Sequence, residues 1–236
     1  EFLTRDLNDM DIYRVPVVGW VGKTFQFAYQ RYQFWLMQPD AIDDPEEQRV
    51  FSALGKEIRD DAAFFLGLLH HYDRDLYWSY VSANQDPEVV KKLLLHPKLL
   101  PGFNDSGAHV TNMAFFDGNL RALHLALKDD EATFARMVGR LTREPAEFFG
   151  LDVGTLNLNA QADFTLLNPQ ALAEYDGEAS IEYIYREIFD CHQLVNRSDG
   201  VVQGVYVGGQ RVWQQDRFTP IHGRHPLGHA LRVGAR

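Results

Sequence analysis

The residues with the clearest capacity for chemistry lie in segment 101–109, Pro-Gly-Phe-Asn-Asp-Ser-Gly-Ala-His. A short apolar run from Leu99 to Phe103 precedes Asp105, and a glycine-containing turn follows it. If that run is a strand of a parallel barrel, Asp105 lies at the strand end where such barrels place catalytic groups. Alternatively, Asp105 caps a turn, a common role for the pattern Asn-Asp-Ser-Gly. The spacing alone leaves both interpretations open.

The histidines offer weaker chemical signals. His109 follows Asp105 by four residues and can reach the same end of a strand, although a lone loop histidine is more often a surface residue. The tail contains His222, His225 and His229. Its irregular setting, with Gly and Pro, gives these three imidazoles no fixed face on which to bind a metal ion.

Composition narrows the class of protein. The chain has 236 residues, 45% of them apolar, and a formal net charge of −10, which predicts a folded globular protein that binds neither nucleic acid nor an anionic membrane. The single cysteine, Cys191, excludes an intrachain disulfide and a cysteine-built zinc cluster. The apolar run 62–69 is too short for a membrane helix, and the first residues show no signal-peptide pattern. We therefore expect a cytoplasmic location.

Hydrophobic periodicity predicts the elements that would position Asp105. The predicted elements are a β segment over 10–21, a long helix over 43–69, a strand over 75–83, a helix over 89–95 that stops at His96-Pro97, a strand over 99–103, and a helix over 119–141. A strand, a helix and a strand within about 30 residues have the size of a right-handed βαβ unit. This order predicts an α/β fold for residues 1–150.

A different pattern begins after Gly150. Residues 154–169 read as two short strands around a turn, and residues 201–214 as a hairpin with a Gly208-Gly209 turn. We therefore predict a β-rich, small sandwich-like segment, followed by a loop tail, over residues 151–236.

Four stretches resemble a known family in order and spacing. They are His96-Pro97 followed by Asn-Asp-Ser-Gly-Ala-His at 104–109, similar to "HP…SDAGAH"; 141–151, similar to "LTSEPA..FGL"; 154–169, similar to "G.L..G..ADLVVFDP"; and 205–212, similar to "V.VNG..V". Together they resemble the amidohydrolase superfamily, in the branch that contains D-aminoacylase (N-acyl-D-amino-acid deacylase). The match covers about residues 75–215 well.

The resemblance implies a fold and a reaction. The fold would be the C-terminal part of a (β/α)8 metal-dependent hydrolase barrel, with a helical insertion, attached to the β-sandwich-like segment. The reaction would be zinc-dependent hydrolysis of the N-acyl bond of a small amide such as an N-acyl-D-amino acid. Asp105 would be the catalytic and metal-associated residue that orients a metal-bound water and passes its proton to the leaving amine. The resemblance also suggests that His109, Asn104 and Ser106 line the substrate pocket.

The chain departs from the family pattern in its metal ligands. The family gathers its metal with a His-x-His near the chain start and with ligands on middle strands, and no His-x-His occurs here. Asp105 and isolated histidines do not supply the three or four ligands that zinc needs. We therefore expect the chain to need an N-terminal portion, or oligomerisation, to complete the barrel. The alternative is a catalytically silent, amidohydrolase-like binding or assembly module.

Overall fold

The computed structural model describes residues 6–80, 84–102 and 112–233. The chain divides into two compact units, Glu1–Gln85 and Asp86–Arg236, which are described separately. The boundary predicted at residue 150 stays a prediction. Within the described ranges, no helix combines the length and the apolar composition needed to cross a bilayer.

The first unit combines three helices with one antiparallel strand pair. Its main elements are β1 (Met10–Arg14), α1 (Phe25–Met37), α2 (Pro45–Leu54), α3 (Asp61–Tyr72) and β2 (Tyr77–Tyr80), and β1 pairs with β2. The long helix predicted over 43–69 is in fact α2 and α3. Gly55, at φ 75°, ends α2, and the Asp60 carboxylate accepts a hydrogen bond from the Ala63 amide to begin α3.

Aromatic side chains form the core of the first unit. Phe25, Tyr32, Phe51 and Phe64 are fully buried, and Tyr32 contacts the rings of Phe51 and Phe64 at centroid distances of 5.6 and 5.4 Å. The aromatic density of segment 25–37 therefore reflects core packing, because each buried aromatic ring contributes a large apolar area.

One carboxylate lies inside this aromatic core. Glu47 accepts hydrogen bonds from the Trp20 indole at 2.5 Å and from Arg31 Nε at 3.0 Å. Its second oxygen accepts from Arg31 Nη2 at 2.5 Å. Because a buried charge is tolerated only when it is paired, these donors explain how Glu47 can be buried.

The second unit contains the other elements. They are α4 (Pro87–Leu94), β3 (Asn112–Met113), α5 (Gly118–Leu127), α6 (Glu131–Leu141), α7 (Arg143–Phe148), β4 (Phe164–Leu167), α8 (Pro169–Ala173), β5 (Ile181–Arg186), β6 (Cys191–Asn196), β7 (Val202–Val207), β8 (Gln210–Gln214) and β9 (Arg217–Phe218). The helix predicted over 119–141 is divided into α5 and α6, because Asp130 caps a new helix through the Thr133 amide at 2.7 Å.

Two sheets occur in the described part of the second unit. One has the strand order β3-β6-β5 and the other β4-β7-β8-β9. The predicted hairpin over 201–214 is confirmed: β7 pairs with β8, and Gly208 and Gly209 take φ values of 56° and 75°. Such a turn needs residues that adopt positive φ without a steric penalty.

The predicted barrel portion is wrong. The described strands form separate small sheets with no barrel closure, and parallel pairing within them is limited to β3 beside β6. The strand predicted over 75–83 appears as β2, but it pairs antiparallel with β1. The strand predicted over 99–103 is absent from its described part, residues 99–102, where Pro101 has no amide hydrogen to donate to a ladder.

The predicted β-sandwich-like segment is also corrected. Residues 154–163 contain no strand, and β4 joins the hairpin to make one four-stranded sheet. The short helix α8 interrupts the predicted all-β region. Periodicity identified single strands, whereas strand partners depend on contacts that are distant in sequence.

Candidate functional site

The predicted site residues lie outside the described residues. Asp105, Asn104, Ser106 and His109 all fall within 103–111, so their assigned roles stay predictions. The described residues on either side of this segment show which contacts hold the chain that enters it and the chain that leaves it.

Arg140 binds the chain that enters the segment. Its side chain, on α6, is fully buried. The guanidinium donates from Nε to the Leu94 carbonyl at 2.9 Å and from Nη2 to the His96 carbonyl at 2.9 Å. Nη2 also donates to the Leu99 carbonyl, and Nη1 pairs with Glu144. One side chain therefore connects the His96-Pro97 stretch with the stretch over 141–151.

A close backbone approach joins the stretches over 141–151 and 154–169. Gly154 has a φ of 83°, and a Cβ atom there would lie 2.7 Å from the Thr142 carbonyl oxygen and 3.1 Å from the Arg143 Cα. Only glycine satisfies both the positive φ and this distance without displacement of the backbone.

Backbone and carboxylate contacts join the stretches over 154–169 and 205–212. The Asp163 carboxylate accepts a hydrogen bond from the Gly208 amide at 2.6 Å. The Gly209 amide donates to the Ala162 carbonyl at 2.8 Å. Asp163 therefore fixes the hairpin turn against the start of β4.

The same three stretches line one cavity of about 1100 Å³. Its lining includes Thr142, Glu144, Asn157, Phe164 and Tyr206, together with apolar residues of α6. The cavity combines an apolar surface with a few polar groups, as ligand pockets commonly do.

Asp117 follows segment 103–111 in the sequence, and its carboxylate binds side chains from other parts of the second unit. Its carboxylate is buried after β3 and accepts hydrogen bonds from Arg121 Nε at 2.6 Å and from the Tyr175 hydroxyl at 2.7 Å. Burial and the hydrogen bond to Asp117 raise the pKa of the Tyr175 phenol above its ordinary value. Because its Oδ2 atom accepts hydrogen bonds from Arg121, from Tyr175 and, at 3.4 Å, from Asn196 Nδ2, Asp117 serves as a structural anchor in this arrangement.

Sequence reasoning missed both buried clusters. Each contains a charge pair at spacing i,i+4, Asp117 with Arg121 and Arg140 with Glu144. That spacing is a readable helix signal. Burial, which distinguishes these pairs from solvated ones, depends on tertiary contacts and has no local sequence signature.

The tail histidines take surface positions. The His222 ring stacks on Phe218 at a centroid distance of 4.1 Å. His222 and His225 also line an open groove of about 910 Å³ with Arg197 and Arg217. The groove lining therefore combines aromatic residues with the cationic Arg197 and Arg217 and the acidic Asp199 and Asp216.

The described residues do not fit the zinc ion that the resemblance implies. Among them, no group of three or more His, Cys, Asp or Glu side chains could hold a metal ion. Asp105, the predicted metal residue, lies outside the described ranges. No reaction step is therefore assigned to a metal.

Comparison with known proteins gives relatives without a stated activity. Uncharacterized proteins of Mycobacterium bovis and Mycobacterium tuberculosis are 37% identical to this chain over 222 residues, an alignment that covers 91% of the chain and 32% of each relative. No family model matches the chain. No solved structure matches it. The chain thus spans about a third of the length of the curated relatives it matches.

Proposed function

We propose that this chain is part of a metal-dependent amidohydrolase of the D-aminoacylase branch, which hydrolyses the N-acyl bond of small substrates such as N-acyl-D-amino acids. The observation that carries the proposal is the convergence of the resembling stretches. Residues from 141–144, 154–165 and 205–207 line one cavity, and Arg140 binds the carbonyl of His96.

Asp105 is the proton-transfer group of the proposed reaction. Its carboxylate takes a proton from the attacking water while the water oxygen bonds to the acyl carbon. The carbon–nitrogen bond then breaks, and the same proton passes to the nitrogen of the leaving amine. A carboxylate within hydrogen-bond reach of both atoms is suited to this exchange. Asn104, Ser106 and His109 bind the substrate in this proposal.

The proposed enzyme is larger than the chain. Its relatives are about three times as long as the part they share with it, and we assign the zinc ligands to segment 103–111 and to the rest of the full-length polypeptide or a second copy. A cytoplasmic location belongs to the proposal, because the single Cys191 cannot form an intrachain disulfide. Neither nucleic acid nor membrane is a proposed partner, given the net charge of −10.

The test is hydrolysis by the full-length product of the gene that encodes this chain. We expect release of free amine from N-acetyl-D-amino acids, and loss of that release in Asp105→Ala with an unchanged circular dichroism spectrum. Asp152→Ala is the matched control, since Asp152 is an exposed aspartate in the same unit. Turnover retained in Asp105→Ala would refute the proton-transfer role of Asp105. Absence of turnover in the wild type would refute the proposed hydrolysis and favour the catalytically silent binding module.

Metal content supplies a second, independent test. We expect the full-length protein to contain stoichiometric zinc by elemental analysis, and chelation to remove both zinc and hydrolysis. Hydrolysis that persists after complete zinc removal contradicts the cofactor assignment.

A further inference from the structure

The open groove of about 910 Å³ in the second unit is lined by strands β7, β8 and β9 and by the loops that follow β6 and β9. The Gly200 amide donates to Asp216 Oδ1 at 3.3 Å, which connects the first loop to the turn between β8 and β9. The second loop is connected to β8 through Thr219, whose amide donates to the Val212 carbonyl at 2.9 Å and whose hydroxyl donates to the Arg211 carbonyl at 2.6 Å. The groove is therefore built from bonded elements, and its volume lies within the range of small-molecule pockets.

Three aromatic rings form a contiguous row in the groove. The rings of Trp213 and Phe218 contact edge to face at a centroid distance of 4.9 Å, and the His222 ring stacks on Phe218 at 4.1 Å. All three residues line the groove, and Phe218 is 61% exposed. Because aromatic rings bind further rings by offset stacking or edge contact, this row offers a site for a planar apolar group.

The groove also presents charges of both signs. Arg197 and Arg217 are exposed lining residues, and neither forms an ion pair within the described ranges. Asp199 is likewise exposed and unpaired in the described part of the chain, whereas Asp216 accepts the Gly200 amide. The opposite charges of the lining therefore do not neutralise one another by direct contact. A ligand with a single sign of charge would be repelled by one pair of these residues, whereas a zwitterion complements both pairs.

We propose that this groove is a binding site for an aromatic amino acid in its zwitterionic form. Arg197 and Arg217 bind the carboxylate of the ligand, because a planar guanidinium matches the two oxygens of a carboxylate. Asp199 binds the ammonium group, and the ring of the ligand packs against Trp213 and Phe218. Free amino acids are also products of the hydrolysis proposed above, but the inference does not rest on that reaction, since binding is measured without turnover.

The first experiment follows amide chemical shifts by NMR while phenylalanine is added to the 236-residue chain at neutral pH. We expect saturable shifts at the amides of 197–199 and of 217–218, and none in β1 or β2. Phenylpropanoate lacks the ammonium group, phenethylamine lacks the carboxylate and alanine lacks the ring, so each should bind about tenfold more weakly or worse. The absence of saturable shifts at millimolar phenylalanine would overturn the proposal, as would equal affinity for any of the three analogues.

The second experiment tests the charged contacts separately from the fold. Arg217→Gln and Asp199→Asn alter exposed side chains, so both variants should keep the circular dichroism spectrum and the unfolding midpoint of the wild type. Each should bind phenylalanine about tenfold more weakly or worse. Arg232→Gln is the matched control, because Arg232 is exposed in the same unit and is not part of the groove lining. Wild-type affinity in one groove variant would refute the contact assigned to that residue, and wild-type affinity in both would overturn the site.

Discussion

Gly154→Ala tests the backbone approach that joins two of the resembling stretches. The added Cβ would lie 2.7 Å from the Thr142 carbonyl oxygen and 2.9 Å from the Thr142 carbonyl carbon. Both neighbours are backbone atoms, so relief requires movement of the chain between α6 and α7. The φ of 83° at Gly154 adds a second penalty, because side chains with a Cβ rarely adopt it.

The two penalties have separable magnitudes. Holding a residue other than glycine in a sparsely populated backbone region costs about 1–3 kcal/mol. Forcing an extra carbon into a well-packed contact costs a further amount of about 1–3 kcal/mol. We therefore expect Gly154→Ala to reduce the free energy of unfolding of the second unit by about 2–6 kcal/mol.

Gly200→Ala is the matched control for the backbone penalty. Gly200 lies in the same unit at a φ of 80°, and a Cβ there meets nothing within 4 Å. Urea unfolding should be monitored through hydrogen exchange of the amides in β4 and β7. This measurement reports on the second unit without assuming a single unfolding transition for the whole chain. Equal destabilisation by the two substitutions would show that the close approach to Thr142 is not the constraint.

Two further predictions concern other parts of the chain. Glu47→Gln should lower the stability of the first unit by about 2–4 kcal/mol, because it weakens the bonds from Trp20 and Arg31 inside the core. Glu57→Gln, at an exposed position of the same unit, should cost less than about 1 kcal/mol. Urea unfolding of both variants measures the contrast, and equal losses would contradict it. The backbone hydrogen bond from the Thr133 amide holds the pKa of Asp130 below its ordinary value of 3.8. The stabilisation of α6 by the Asp130 carboxylate is therefore present above pH 3.8 and is lost as the pH falls through the lowered pKa of the folded state. Asp130→Asn should weaken the acid dependence of hydrogen exchange in α6, and an unchanged acid profile would contradict the prediction.

Local signals in the sequence identify several element boundaries correctly. Asp44 and Asp86 each precede a proline and cap a helix in the structure, because an aspartate that accepts amide hydrogen bonds and a proline at the first helical position are both favourable there. The Gly208-Gly209 turn also follows directly from the residue types it needs. These features require contacts over only a few residues.

Other helix boundaries depend on single residues that end or begin a helix, and hydrophobic periodicity does not reveal them. The apolar spacing continues from α2 to α3, although Gly55 stops the first helix and Asp60 begins the second. Strands β5 and β6 were not predicted, and residues 181–186 show no strict alternation, since the neighbours Tyr183 and Ile184 are both half-buried. The signal available in the sequence is composition, because the apolar residues of 181–186 are all aromatic or β-branched.

Strand partners show where sequence inference fails more deeply. The sequence of a strand does not identify the strand with which it pairs, and the parallel arrangement was inferred only from the order of the elements. The antiparallel pairing of β2 with β1 depends on a contact across more than sixty residues. Because element order constrains topology only when the elements are identified correctly, the missing strand at 99–102 removed the basis of the βαβ assignment.

The contacts among the resembling stretches explain why short motifs can be informative when the predicted fold is wrong. Gly154 is required by a neighbouring backbone, and Asp163 receives the Gly208 amide of another stretch. Each contact restricts residue type at a position whose partner lies elsewhere in the chain. The residue types of a motif can therefore reflect local tertiary contacts without determining whether a sheet closes into a barrel. For this reason the amidohydrolase hypothesis remains testable through Asp105, although the predicted barrel is wrong.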